Sequence, residues 1–379
     1  MSKNYLIIAG ETSGDKHAAY LVESMKRRSD VRIIGIGGDK MKAAGVELLH
    51  HVREMSVMGF SEIISKLPFF GKVRRDLLFA VESEKLSAII LVDYPGFNLR
   101  FAELAKRKGL RVVYFISPQI WAWGKGRIKK IRRSVDLMLT IFRFEEDMYK
   151  REGVDAHFVG HPLLDEMKKP DENEIQNFRS LCSNAGSKLL ALLPGSRMQE
   201  IKRILPTMLE SVKALKEELR RQQVELDVVI GCAPEINENV YKRIIDEAGI
   251  KANLSREVEL LMSSADAGMV TSGTATLEAV LHDLPMVVVY KTSAVNYFIG
   301  KFLVKISSIS LVNIVAQRKI VEELVQNDFK PHEAAGIIKE ILTSNGVADE
   351  IRQKYAELKK MLGEPGASDR AAELILKMV

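Results

Sequence analysis

Twice along this chain of 379 residues, short apolar runs rich in β-branched residues alternate with stretches of helical periodicity. That alternation leaves few folds open. In the first series, strands are expected at 5–9, 32–36, 88–92, 111–115, 137–141 and 156–159. Helical patterns such as 17–28 and 99–108 separate most of them. Ala88-Ile-Ile-Leu-Val92 is apolar at every position, as suits a strand covered on both faces. The polar stretch Lys168-Lys-Pro-Asp-Glu-Asn173 then reads as a linker. A second series follows at 188–193, 225–230, 267–270 and 286–289. Strands alternating with helices give doubly wound parallel sheets. The expectation is an α/β chain of two Rossmann-like domains facing a cleft, 1–168 and 169–345. A charged helical segment, 346–379, is placed to pack back on the first domain.

Composition narrows the function. The formal net charge of +6 favours anionic partners such as phosphates, acidic lipids or nucleic acid. Nucleic acid fits poorly, because no binding motif or interleaved aromatics accompany the basic residues. Cys182 and Cys232 lie far apart without metal-ligand spacing, and reduced thiols suit the cytosol. Met-Ser-Lys-Asn followed by a strand-like run does not read as a signal peptide. The longest charge-free runs, 112–124 and 306–317, fall short of the roughly 18 residues of a spanning helix, so a membrane role would be peripheral. No Asp-x-Asp and no His/Cys/Glu cluster occur, so no metal site is expected.

The chemistry gathers where strands end. In Ala267-Gly-Met-Val-Thr-Ser-Gly-Thr-Ala-Thr-Leu-Glu278 a strand runs into Ser272-Gly273-Thr274, and a helix is expected from about Ala275 with Thr274 as its N-cap. Gly273 lets a ligand approach the backbone, and the free amides of a helix start attract phosphate. Glu278 is one residue too far along for a capping box and suits ribose hydroxyls, or is an acid favoured by the helix dipole. Arg197, in Pro194-Gly-Ser-Arg197, suits a pyrophosphate. The other strand-to-loop junction, Gly10-Glu-Thr-Ser-Gly-Asp15, carries Glu11 and Asp15, which repel bare phosphate and suit hydroxyls. Neither junction is a P-loop or Gly-x-Gly-x-x-Gly, so no nicotinamide or flavin cofactor is expected. Both also read as tight turns and helix caps.

Asp93 ends the buried run 88–92, where ligands bind in parallel sheets. Desolvation there raises a carboxylate's pKa towards that of a general base, although a turn Asp before Pro95 reads equally well. Trp121 and Trp123 precede six basic residues in 125–133, which read as an aromatic wall beside a basic face, or as a core turn and a solvated helix. Ile63, Ile64, Leu67, Phe69 and Phe70 cluster among Lys66, Lys72, Arg74 and Arg75, which suits either core packing or a greasy basic membrane patch. His161 reads most simply as a structural histidine. Asn313 and Gln326 are amide hydrogen-bonders or plain helix residues.

Seven motifs follow one another: Gly10-Glu-Thr-Ser-Gly-Asp15, Val57-Met-Gly59, Asp93 with Pro95-Gly-Phe-Asn98, Ser117-Pro-Gln-Ile-Trp-Ala-Trp123, Gly160-His-Pro162, Leu193-Pro-Gly-Ser-Arg197 and Ser272-Gly-Thr-Ala-Thr-Leu-Glu278. Their order and spacing resemble the lipid-A-disaccharide synthase family over nearly the full length. Gly96 departs from the pattern, standing where some members carry a second Asp, and leaves Asp93 as the acid of that loop. The resemblance implies the two-Rossmann glycosyltransferase-B (GT-B) fold. It implies transfer of diacylglucosamine from UDP-2,3-diacylglucosamine to 2,3-diacylglucosamine 1-phosphate, giving a β-1,6 disaccharide and UDP at the cytoplasmic face of the inner membrane.

On that reading Asp93 deprotonates the acceptor. Arg197, Ser272, Gly273, Thr274, Glu278, Asn313 and Gln326 hold the donor, with no bound metal. Glu11, Ser13, Gly14, Asp15, Met58, Trp121 and His161 serve the acceptor and its acyl chains. Residues 57–75 and 125–133 meet acyl chains and the anionic lipid surface. Two rivals are a UDP-N-acetylglucosamine 2-epimerase, which would leave the apolar patch without a purpose, and a non-catalytic nucleotide-sugar-binding membrane adaptor.

Overall fold

The computed structural model describes residues 3–55, 67–121, 125–293 and 308–379. They form two compact units, Met1–Glu166 with Leu362–Val379, and Met167–Met361.

The first unit carries a parallel sheet of seven strands: β1 (Lys3–Ala9), β2 (Val31–Gly37), β3 (Glu47–His51), β4 (Leu86–Val92), β5 (Val112–Phe115), β6 (Leu137–Thr140) and β7 (Ala156–Phe158). Their order across the sheet is β3-β2-β1-β4-β5-β6-β7. The middle strands are covered on both faces. From Ala88 to Val92 every residue of β4 is buried, so β-branched and Leu side chains alternate into two helical layers. The second unit repeats the plan with β8 (Lys188–Leu193), β9 (Leu226–Gly231), β10 (Asn253–Ser255), β11 (Ala267–Thr271), β12 (Met286–Tyr290) and β13 (Glu323–Val325). Its order is β10-β9-β8-β11-β12-β13, again all parallel. The helix Met198–Arg220 turns Ile201, Ile204, Leu205, Met208, Val212, Leu215 and Leu219 to that sheet at helical spacing.

The expected segment 346–379 divides. The helix Asn345–Met361 belongs to the second unit, and from Leu362 the chain is part of the first. There the helix Ala367–Met378 lies along the helix Thr12–Arg28. The Asp165 carboxylate accepts from the backbone N–H groups of Gly366, Ala367 and Ser368 at 2.5, 3.1 and 2.9 Å, capping the helix from a distance in sequence. Asp369 accepts from Ser24, and from Arg28 and Arg27 at 2.7 and 2.9 Å.

Candidate active site

Each sheet has one place where neighbouring strands hand the chain to opposite sides, and there the carboxyl ends open a crevice. In the first unit it lies between β1 and β4. Gly10 to Asp15 follow β1, and Asp93 follows β4.

Asp93 and Tyr94 both adopt left-handed backbone, φ +46° and +49°. Non-glycine residues seldom stay there without support. Here the support is specific. The Asp93 N–H donates to the Phe115 carbonyl at 3.0 Å. The Asp93 carbonyl accepts from the Tyr114 hydroxyl at 2.6 Å and from Asn98 Nδ2 at 2.8 Å. Asn98 Nδ2 also lies 3.2 Å from the Val92 carbonyl. The turned backbone lays the Tyr94 ring against Gly10, where a Cβ would sit 2.2 Å from it. Only glycine fits, and the two loops are locked together. The Asp93 side chain is half-buried. Burial, then the nearby Glu11, pushes its carboxyl up to about 6, against the pull of the Tyr94 backbone and His17. A carboxylate poised there is suited to accept a proton near neutral pH.

Glu11 and Ser13 are exposed at the start of the helix Thr12–Arg28, and Gly14 is buried. Asp15 does other work than the sequence suggested. Its buried carboxylate accepts from the N–H groups of Gly38, Met41 and Lys40 at 2.6, 3.0 and 3.2 Å. It caps the short helix Asp39–Ala43.

In the second unit the crevice lies between β8 and β11. Arg197 follows β8 with its side chain 77% exposed and paired with Glu200 at 3.2 Å. Ser272, Gly273 and Thr274 follow β11. The helix Thr274–Leu281 begins one residue earlier than expected, so Gly273 and not Thr274 is the N-cap. Gly273 has φ +155°, which a side chain would disfavour. Thr274 is exposed at the helix start, and Glu278 is half-buried one turn on. Ser272 Oγ donates to the Ile309 carbonyl at 2.8 Å, tying this rim to the next loop.

Asn313 and Gln326 are scaffold, contrary to the sequence reading. Asn313 is 3% exposed. Its Nδ2 donates to the Val321 carbonyl at 2.9 Å and to Glu323 Oε1 at 2.7 Å, and its Oδ1 accepts from Ile320 and Val321 N–H at 2.7 and 3.1 Å. No hydrogen-bonding capacity is left for a donor sugar. Gln326 pairs both ends of its amide with the Thr292 backbone at 2.9 and 3.2 Å. Glu323, which the sequence did not mark, also accepts from Ile309 and Ser310 N–H at 2.9 and 3.2 Å.

His161 is buried against Phe142, ring centroids 5.3 Å apart, and its Nδ1 accepts from Leu163 N–H at 3.2 Å. Burial pushes it down to about 3, which favours the neutral imidazole. Trp121 is half-buried with its indole N–H given to Glu145 at 2.9 Å. Phe69 and Phe70 are half-buried in the first unit's core, the first edge-on to His50 at 5.9 Å and the second 6.4 Å from Phe97. Both therefore serve packing before any lipid surface. Leu67 opens the helix Leu67–Ser83. Met58, Ile63, Ile64 and Trp123 lie outside the described residues. The sequence reading missed Phe79, 71% exposed on that helix, and Glu145, buried among charged neighbours that disguise it. Lys129, Arg132 and Arg133 are exposed on the helix Ile128–Ser134. No helix among the described residues is long and apolar enough to cross a membrane.

The model of the lipid-A-disaccharide synthetase family matches residues 5–379. A lipid-A-disaccharide synthase from Myxococcus xanthus is 41% identical, covering 99% of this chain and 97% of its own. The chain belongs to the lipid-A-disaccharide synthase family. It is an enzyme, a glycosyltransferase of lipid A biosynthesis. Solved structures share its fold. The UDP-GlcNAc 2-epimerase from Neisseria meningitidis, bound to UDP-GlcNAc, has a TM-score of 0.65 at 13% identity, with 100% of each chain covered. CalG4, the calicheamicin glycosyltransferase, has 0.62 at 14%, with 100% of this chain and 99% of its own covered. These likenesses make the architecture GT-B, as the motifs implied. Synthases of this family need a nucleotide-sugar donor and a glycosyl acceptor.

Proposed function

We propose that this synthase joins UDP-2,3-diacylglucosamine to 2,3-diacylglucosamine 1-phosphate by inverting displacement, working at the cytoplasmic face of the inner membrane. The observation that carries the assignment of roles is the division of charge between the two switch points. One holds a half-buried carboxylate pushed up to about 6, and the other an exposed arginine beside a glycine-started helix. Asp93 accepts the proton of the acceptor 6-hydroxyl as the oxygen attacks the anomeric carbon. The anomeric C–O bond breaks and its electron pair leaves with UDP. Arg197, the amides from Ser272 to Thr274 and the helix dipole take up the charge growing on the pyrophosphate. Glu278 accepts from the ribose hydroxyls. Glu11 and Ser13 border the acceptor. Asn313 and Gln326 act on the donor only through the loops they hold.

The exposed face of the helix Leu67–Ser83 carries Lys72, Arg75 and Phe79 at helical spacing, a fit to an anionic lipid surface. Incubation with the two acylated substrates, followed by mass analysis, should yield the disaccharide 1-phosphate with one UDP per product. Conversion of soluble UDP-N-acetylglucosamine without an acceptor would favour the epimerase. UDP and vesicle binding without turnover would favour the adaptor.

A further inference from the structure

Left-handed backbone on this rim does not stop at Asp93 and Tyr94. One strand over, Ile116 has φ +64° directly after β5, and β-branched residues are true outliers there. The two turns are joined. Val92 pairs with Phe115 across β4 and β5, and Phe115 with Leu139 across β5 and β6. The Ile116 N–H donates to the Leu139 carbonyl at 3.1 Å. Strain of this kind persists only where the surroundings over-determine it, and it clusters at functional sites.

What fixes the chain after Ile116 is a single buried carboxylate from the helix Arg143–Arg151. Glu145 is 1% exposed. It accepts from Ser117 Oγ at 2.8 Å and from Trp121 Nε1 at 2.9 Å. The neighbouring Tyr149 hydroxyl donates to the Pro118 carbonyl at 2.7 Å, so both ends of 117–121 are fastened to one helix. With its N–H committed, the indole cannot turn freely. It meets Phe144 edge-on, centroids 5.5 Å apart, and Phe144 stacks on Phe142 at 5.7 Å. Trp121 and Phe144 are both half-buried, so a fixed aromatic shelf stands on the same sheet rim as Asp93.

A carboxylate is costly in such a place. Burial pushes Glu145 up to about 7, against the pull of Trp121 and Ser117. An apolar residue or a second hydroxyl would pack at less cost if the segment needed only filling. Two charge-assisted bonds on two different side chains fix an orientation as well as a position.

We propose that Glu145 is a positioning residue: it holds the Trp121 ring as one wall of the acceptor subsite, beside the base Asp93. The inference rests on the acceptor role given to this rim above. The ring face supplies apolar contact to the acceptor, whose sugar C–H face and acyl chains are both of that chemistry.

The test uses the full chain carrying Trp123→Phe, so that Trp121 alone reports by fluorescence. Glu145→Gln presents an amide N–H₂ where one donor now points, so one of the two bonds is lost. The expected result is a shifted Trp121 emission and an acceptor KM raised about tenfold, as befits about 1.4 kcal/mol. The donor KM and the UDP affinity should hold. Trp121→Phe, which leaves Glu145 and a ring in place, should raise the acceptor KM by a smaller factor and covers the case in which Glu145→Gln fails to fold. Acceptors with and without acyl chains separate the two sources of apolar contact. If only the acylated one loses affinity, the shelf meets acyl chains; if both do, it meets the sugar. An unchanged emission in Glu145→Gln overturns the positioning role. A shifted emission with an unchanged acceptor KM overturns the subsite. If the parent protein turns over neither acceptor, the reading beneath the inference fails, and the inference with it.

Discussion

The two sheets share a topology and divide their chemistry at the same point in it. Between β1 and β4 the first unit gathers acids on a backbone forced into left-handed turns. Between β8 and β11 the second unit offers an exposed guanidinium and a helix begun on glycine. The first rim is tied down by hydrogen bonds and carries acids, which repel phosphate. The second carries an exposed cation and a helix start, the chemistry that suits phosphate. Parallel strand ends give both crevices without effort, so what differs is the handful of side chains in the loops. Chemistry needs a base that does not move, whereas leaving-group stabilisation needs donors that reach.

The largest expected effect falls on the first rim. Asp93→Asn keeps the shape of the turn and loses the proton acceptor. Its kcat should fall by about 10²–10⁴, with UDP affinity nearly unchanged. In the parent enzyme, kcat/KM should fall about tenfold per pH unit below about 6, as the carboxyl of the free enzyme becomes protonated. A near-normal rate for the Asn variant would make Asp93 a turn residue and erase the contrast between the rims.

The second rim is expected to divide into ligand and scaffold. Asn313→Ala leaves the Ile320 and Val321 N–H groups and Glu323 short of a partner inside the protein. A stability loss of about 2–4 kcal/mol follows, read as a lower midpoint in denaturant. Arg197→Ala, on an exposed side chain, should leave the midpoint alone and weaken UDP binding by about 1–3 kcal/mol in calorimetry. Glu278→Ala should cost UDP affinity on the same scale. If Asn313→Ala lowers UDP affinity at full stability, it belongs to the site after all. If Arg197→Ala and Glu278→Ala both bind UDP normally, the donor does not sit on this rim.

How legible was this in the sequence? The ten strands expected from apolar runs are all present. The three that escaped, β3, β10 and β13, are all sheet edges. Glu47-Leu-Leu-His-His51 and Asn253-Leu-Ser255 carry polar residues because an edge is covered on fewer sides, so the apolar signal is diluted. The site divided in the same way. Asp93, Arg197 and Gly273 announce themselves because strand ends and glycines locate them along the chain. Asp15, Asn313 and Gln326 looked like ligands because their side chains are polar and sit in or beside loops. Whether such a side chain is spent on backbone amides depends on partners brought together by folding. For Asp15 these lie 23 to 26 residues away, and for Gln326 34 away. Glu145 was hidden for the opposite reason. Arg143-Phe-Glu-Glu-Asp147 reads as a solvated helix, and only the fold turns one of its acids inward.

The smallest expected effect is on stability, and it separates the rims by sign. Burial raises the Asp93 carboxyl from an ordinary 3.8 to about 6. Between those values the folded protein keeps a proton that the unfolded chain has released. Stability therefore falls as pH rises through that window, and the full cost is present above it. Asp93→Asn carries no charge and escapes the cost. A rise of that size corresponds to roughly 3 kcal/mol at most, and the partial exposure of Asp93 reduces the expected gain to about 1–2 kcal/mol at pH 7–8. Below about pH 3 the variant and parent should unfold together, because Asp93 is then protonated in both states. Arg197→Ala should shift stability by no more than about 0.5 kcal/mol at any pH, as exposed substitutions do. Denaturant midpoints across pH 3–8 decide the matter. A gain at neutral pH that vanishes in acid would show that the first rim holds its base at a cost in stability. An equal, pH-independent change in both variants would mean that Asp93 is no more desolvated than Arg197, and the two rims would differ only in the sign of their charge.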